Sequence, residues 1–120
     1  MTFLAVGIGG AFGALVRYSL SGWLIVSNGF PYMTLSINLV GSFLLAYLLT
    51  RQTIFRNPLV KLTITTGFLG GFTTFSTFSL EAFLLLEQKL YGSALIYIVC
   101  SSIGCVLASY TGFRFAKRGK

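Results

Sequence analysis

Thr34, Asn38 and Gly41 fall at i, i+4 and i+7, so a helix through them presents a hydroxyl, an amide and a gap on one face. Tyr97, Ser101 and Cys105 repeat the i+4 step later in the chain, with Ser102 beside them, and their hydroxyls can donate hydrogen bonds. Between the two stripes lies the run GFLGGFTTFSTF (67–78), in which Phe75 and Phe78 stand three apart among Thr73, Thr74, Ser76 and Thr77. A phenyl ring has a positive edge, so paired ring edges attract an anion and offer a cation no comparable welcome. Arg17 adds a permanent positive charge within an apolar stretch. Neutral donors, aromatic edges and an arginine together suit a small anion that must shed part of its water.

Each of these groups also has a plainer use. A lone Ser or Thr in an apolar helix commonly bonds its own i−4 carbonyl. A phenylalanine pair in a chain with 12 Phe commonly packs a core or faces lipid. Arg17 can snorkel to an interface or tie helices together through carbonyls. Asn38 resists such a reading, because a side-chain amide needs several partners at once.

What is missing narrows the function further. With no His and only Glu81 and Glu87 as acids, the chain assembles no catalytic base with a nucleophile, no carboxylate pair and no metal cluster, so an enzyme is not expected. A proton-coupled or cation-exporting carrier needs an acid inside the membrane, and only Glu81 could serve. Cys100 and Cys105 supply neither a metal site nor a disulfide framework and read as buried free thiols.

The elements that must position these groups follow from composition. At 120 residues, 55% hydrophobic and 9% charged, with a mean hydropathy of +0.85, the chain cannot hide its apolar surface as a soluble domain. Spans of about 20 apolar residues are what a bilayer requires, and four fill the chain, at about 3–27, 32–50, 61–87 and 91–117. The reading is one all-α transmembrane domain with short loops. Asn28, Gly29 and Pro31 supply turn chemistry, Asn57 before Pro58 marks the second connection, and a tight turn falls near 88–90. The first span lacks a basic leader, is too long for a signal peptide's apolar core and is interrupted by Arg17, so it reads as a retained helix.

The run 67–78 is the anomaly within the third span. Glycines and consecutive hydroxyl residues loosen a helix at a depth where each unpaired backbone group costs several kcal/mol, and such backbone survives only under cover of protein or a water-filled cavity. A break in the third helix is expected there, and the run reads as a site.

Small residues supply the packing. Gly9 and Gly13 form a GxxxG pair, and Gly104, Ala108 and Gly112 repeat the pattern on the fourth span, joining helices within or between subunits. Four helices make a thin bundle, so an oligomer is expected to enclose any polar path.

Charge gives the orientation. One side carries seven basic residues (Arg51, Arg56, Lys61, Arg114, Lys117, Arg118 and Lys120) and the other only one, Lys89, so both termini are expected in the cytoplasm.

Three segments in order, GAFGALVRY (10–18), NLVGSF (38–43) and GFLGGFTTFSTFSLE (67–81), resemble the signatures of the Fluc/CrcB family of fluoride channels, and the likeness spans nearly the whole chain. The resemblance implies an antiparallel dimer in the cell membrane with two pores. These would pass fluoride passively, in preference to chloride, and protect cells from accumulated fluoride. It implies that Asn38, Phe75, Phe78, Tyr97, Ser101 and Thr34 lie on the fluoride pathway. It also implies that backbone at Gly70 and Thr73 of both subunits holds a structural sodium ion. Arg17, Ser76, Thr77 and Glu81 complete the candidate set.

Two features depart from that family's pattern. Cys105 stands where the polar track on the fourth span would continue with a hydroxyl. The seven-to-one charge bias fits one half of a heterodimer, built with an oppositely oriented paralogous subunit, better than a homodimer inserted both ways. The alternatives are a small four-helix multidrug or cation exporter, which would need an acid where the first span has Arg17, and a structural membrane subunit without transport of its own.

Overall fold

The computed structural model describes residues 1–23 and 29–119. Residues 24–27 of the expected first span, Asn28 of the first turn and Lys120 lie outside the described residues. Among the described residues four helices are long and apolar enough to cross a membrane, and the protein is a multi-pass integral membrane protein.

The first span is α1 (Thr2–Trp23) and the second α2 (Tyr32–Thr50), the latter preceded by Gly29 in a left-handed turn at φ 76° and by Pro31. A 3-10 turn, Gln52–Ile54, leads to the third span, which begins at Pro58 rather than at Lys61. The reason is local: Asn57 is extended at φ −100° and ψ 119°, its side chain accepts the Leu59 amide at 2.8 Å, and Pro58 occupies the first helical position.

The third span is composite. It runs through α3 (Pro58–Leu62), a π-helical stretch π1 (Thr63–Leu69), α4 (Gly70–Phe72), two extended residues and α5 (Phe75–Glu87). The loosening therefore starts at Thr63, ahead of the glycine-rich run. The hydroxyls of Thr63 and Thr65 bond back to Leu59 and Lys61 carbonyls at 2.8 Å, so the widened turns leave neither side chain unsatisfied. The turn after α5 closes with the Leu90 amide on the Leu85 carbonyl and the Lys89 amide on that of Leu86, with Lys89 left-handed at φ 60°. The last span, α6 (Tyr91–Arg118), extends to Arg118.

The spans pair two by two, and each pair is parallel. Gly9 of α1 meets the Thr63 backbone, Gly13 that of Phe68, and Gly71 the Gly10 carbonyl, so a Cβ on any of the three would strike main chain. In the other pair Gly104 of α6 lies against Leu39, Gly112 against the Phe43 backbone, and the Ser109 hydroxyl reaches the Ser42 carbonyl at 3.4 Å. The small-residue motifs thus serve contacts within this chain. Arg51 extends the second pair, donating to the Gly119 carbonyl at 3.1 Å and the Tyr47 hydroxyl at 2.9 Å. Parallel pairing leaves residue 1, the 51–57 connection and residue 119 at one end, with Glu81 and Lys89 toward the other.

Two small apolar clusters hold the chain together. Ile37, Leu69 and Phe72 join α2 to the first half of the third span; Ala82, Leu85, Ala94 and Tyr97 join α5 to α6. Most other large apolar side chains face outward, as lipid as solvent permits.

Candidate functional site

Thr73 (φ −77°, ψ 153°) and Thr74 (φ −149°, ψ 122°) are extended between α4 and α5. In hydrocarbon the peptide groups released there need new partners. Asn38 supplies two: its Nδ2 donates to the Thr74 carbonyl at 3.0 Å, and its Oδ1 accepts the Thr74 amide at 2.8 Å. The Thr74 hydroxyl then caps α5 by accepting the Thr77 amide at 3.2 Å, and it donates to the Thr77 hydroxyl at 3.0 Å. Ser76, exposed, lies 3.3 Å from the Thr74 hydroxyl.

These substitutions have a consequence for the main chain. In a continuous helix the Thr74 amide would bond the Gly70 carbonyl, and the Thr77 amide that of Thr73. Both amides are diverted, to Asn38 and to the Thr74 hydroxyl, so the carbonyls of Gly70 and Thr73 lose their i+4 donors. Gly70 is exposed, with open space where a side chain would be.

Arg17 bridges the extended pair. Its Nε donates to the Gly71 carbonyl and its Nη1 to the Thr77 hydroxyl, each at 3.3 Å, so it ties α1 to both halves of the third span. Of its two plainer uses, the tie through a carbonyl is the one observed.

Beside the extended pair lies a groove of about 310 Å³, lined by Asn38, Ser42, Thr73, Thr74, Phe75, Phe78, Ser101, Ser102 and Cys105. The rings of Phe75 and Phe78 are 5.7 Å apart and tilted by 42°; Phe78 also packs on Tyr97 at 5.3 Å. Phe75 is 78% exposed. Among the described residues the buried Ser101 hydroxyl makes no hydrogen bond of ordinary geometry, although the Tyr97 hydroxyl lies beside it. A buried donor left unmatched costs about 1–3 kcal/mol, so a guest that accepts from it relieves a standing cost. No carboxylate lines the groove.

The other candidates gather in a separate cluster nearer the Lys89 end. Glu81 accepts from the Thr34 hydroxyl at 2.9 Å through one oxygen and from the Tyr97 hydroxyl at 2.7 Å through the other. Both donors are buried, Tyr97 completely. Glu81 and Thr34 also line a second cavity of about 310 Å³, with Thr77, Phe30 and Gln88.

The structure thus brings Asn38, Thr73, Phe75, Phe78 and Ser101 to one groove and Thr34, Glu81 and Tyr97 to one hydrogen-bonded cluster. Thr77 lies between them, on the second cavity's wall and in the network from Asn38 to Arg17. Ser42 lines the groove and was not among the expected residues; its i+4 step from Asn38 was the available signal. Cys105 lines it too, while Cys100 is exposed and not the buried thiol expected.

Residues 4–113 match the family model described as CrcB-like protein, Camphor Resistance (CrcB). This chain belongs to the CrcB-like family. The matched stretch takes in every residue of the groove and of the Glu81 cluster. Among its relatives, the fluoride-specific ion channel FluC of Nautilia profundicola is 43% identical over 117 residues, 94% of this chain and 91% of that protein. The fluoride-specific ion channel FluC 2 of Geobacillus kaustophilus is 47% identical, covering 98% of this chain and 94% of its own length. The fluoride-specific ion channel FluC of Methanocaldococcus jannaschii is 46% identical over 110 residues, 91% of this chain and 89% of that protein. Among the described residues of this CrcB-like chain, no three His, Cys, Asp or Glu side chains group to hold a metal.

Proposed function

We propose that this chain is a subunit of a fluoride channel, not an enzyme, and that it lets fluoride leave the cytoplasm passively across the plasma membrane, relieving fluoride toxicity. The observation that carries the reading is the groove: a Ser101 hydroxyl and an Asn38 amide line it together with the Phe75 and Phe78 rings, and no carboxylate does. Fluoride is compact and holds its water tightly, so its entry needs donors strong enough to replace that water yet weak enough to release the ion. Hydroxyl, amide and ring edge meet that compromise. The names of the relatives point the same way.

The working unit is a dimer of oppositely oriented subunits. Exposed Gly70 and the Gly70 and Thr73 carbonyls that lost their i+4 donors make a polar backbone surface that lipid would not solvate and a second subunit would cover. The extended pair is the break in the third helix through which the subunits meet. The charge bias favours a partner of different sequence.

A structural sodium ion would be held by the backbone carbonyls of Gly70 and Thr73, together with those of a second subunit. The donor set fits, since these hard oxygens have lost their i+4 donors and hard cations take oxygen ligands. When bound, the ion offsets the partial negative charge of the carbonyls and raises the local potential for anions. The residues of this chain do the rest: Asn38 holds Thr74, Arg17 steadies both halves of the third span, and Ser101 and the rings receive the anion.

The test is flux from liposomes containing the purified chain, alone and with any paralogous partner, comparing fluoride with chloride. Fluoride efflux faster than from empty vesicles is expected, with chloride efflux at background. Phe75→Ile, Phe78→Ile and Asn38→Asp are expected to cut it at least about tenfold, the scale of 1.4 kcal/mol. Fluoride efflux from the chain alone would remove the heterodimer requirement, and efflux no faster than from empty vesicles with every partner would remove the channel reading.

A further inference from the structure

The thiol of Cys105 has no role in the arrangement described above. It is half-buried on α6 and lines the groove of about 310 Å³ together with Ser101 and Ser102. Ser101, one turn earlier on the same face, is 6% exposed, and among the described residues its hydroxyl makes no hydrogen bond of ordinary geometry, so the wall that carries the thiol also carries a buried donor. Cys100 offers an internal contrast. Five residues from Cys105, it lies about 140° round the helix and is exposed outside the groove.

We propose that Cys105 is a covalent modification site on the anion path, taking a small thiol-directed electrophile that enters the groove. This rests on the groove being that path. A guest small enough to reach Ser101 is one turn of helix from the sulfur. With an alkyl methanethiosulfonate the Cys105 thiol yields its proton to water and its sulfur attacks the sulfenyl sulfur of the reagent. An S–S bond forms, the S–SO₂ bond breaks, and methanesulfinate leaves with the electron pair, so no external oxidant or reductant is needed. A 2-sulfonatoethyl adduct then fixes a negative charge beside the donors meant for the anion, whereas a methyl adduct only fills space.

The experiment uses the conducting protein in liposomes, in a Cys100→Ala background, treated with the 2-sulfonatoethyl or the methyl reagent and followed by intact mass and fluoride efflux. The expected result is one adduct per chain, efflux lowered at least tenfold by the sulfonate adduct and less by the methyl adduct, and recovery on reduction with dithiothreitol. Cys105→Ser in the same background is expected to take no adduct and to keep its own untreated rate under the reagent. Absence of an adduct on the folded protein overturns the proposal, as does full modification at Cys105 with unchanged efflux. Should the untreated protein carry no fluoride, the channel reading fails instead, and the mass measurement alone decides whether Cys105 is modified.

Discussion

Asn38 grips the Thr74 peptide by both its polar ends, its Nδ2 on the carbonyl at 3.0 Å and its Oδ1 on the amide at 2.8 Å, across 36 residues of sequence. One side chain thereby takes the amide that a continuous helix would pair with Gly70, adds a donor to the carbonyl that heads α5, and lets the third span run extended at membrane depth.

Asn38→Leu removes both bonds at similar volume and leaves the Thr74 amide stranded, while the Thr74 carbonyl keeps its place at the head of α5. At about 1–3 kcal/mol for an unsatisfied buried group, a loss of about 1–3 kcal/mol of stability is expected, read as a lower unfolding midpoint in detergent, with fluoride efflux lost as well. A variant as stable as the parent would show that water or lipid headgroups satisfy the Thr74 peptide.

The Glu81 clasp is expected to behave as a coupled unit. Thr34→Val and Tyr97→Phe each remove one hydrogen bond to a charged acceptor, worth about 1.5–3 kcal/mol. Both donors serve the same carboxylate, so the double variant is expected to depart from the sum of the singles by at least about 0.5 kcal/mol in a double-mutant cycle on unfolding. Additive effects would mean that the two bonds hold independently.

Gly13→Ala directs a methyl at the Phe68 carbonyl, and Gly71→Ala directs one at that of Gly10. Overpacking of this kind costs about 1–3 kcal/mol, so both are expected to lower the unfolding midpoint. Gly7→Ala is the control. A Cβ there meets nothing within 4 Å, and the stability change is expected to stay within about 0.5 kcal/mol.

Lys89 occupies the left-handed position that closes α5, at φ 60°. Glycine adopts that conformation without the Cβ clash, so Lys89→Gly is expected to stabilise the turn by up to about 1 kcal/mol, visible as a raised midpoint. A lowered midpoint would mean that the lysine side chain makes a contact worth more than the strain.

The four membrane-length helices were legible because a bilayer imposes length and apolarity on any chain that crosses it. Arg17 was legible as a charge needing partners, and the run 67–78 as backbone needing cover. The π-helical start at Thr63 was not, because TITT reads as ordinary helix until its tertiary neighbours are known. Nor was the union of Thr34, Tyr97 and Glu81: helical periodicity relates residues on one helix, and these come from three. Asn38 showed its need for partners, but that the partner is the Thr74 backbone follows only from how α2 crosses the third span.

The parallel pairing of the spans governs how the chain can assemble. Each helix finds its main partner not in the adjacent span but in the one after it, α1 in the third span and α2 in α6. A hairpin of two successive spans therefore contains neither of the principal interfaces. Insertion must run well ahead of packing, α1 and α2 waiting side by side in lipid until their mates emerge, so this is a fold of high contact order despite being wholly helical. Cutting the chain in the 51–57 connection would separate both pairs at once. Neither fragment would be a folding unit, and only their meeting in the membrane would restore the bundle.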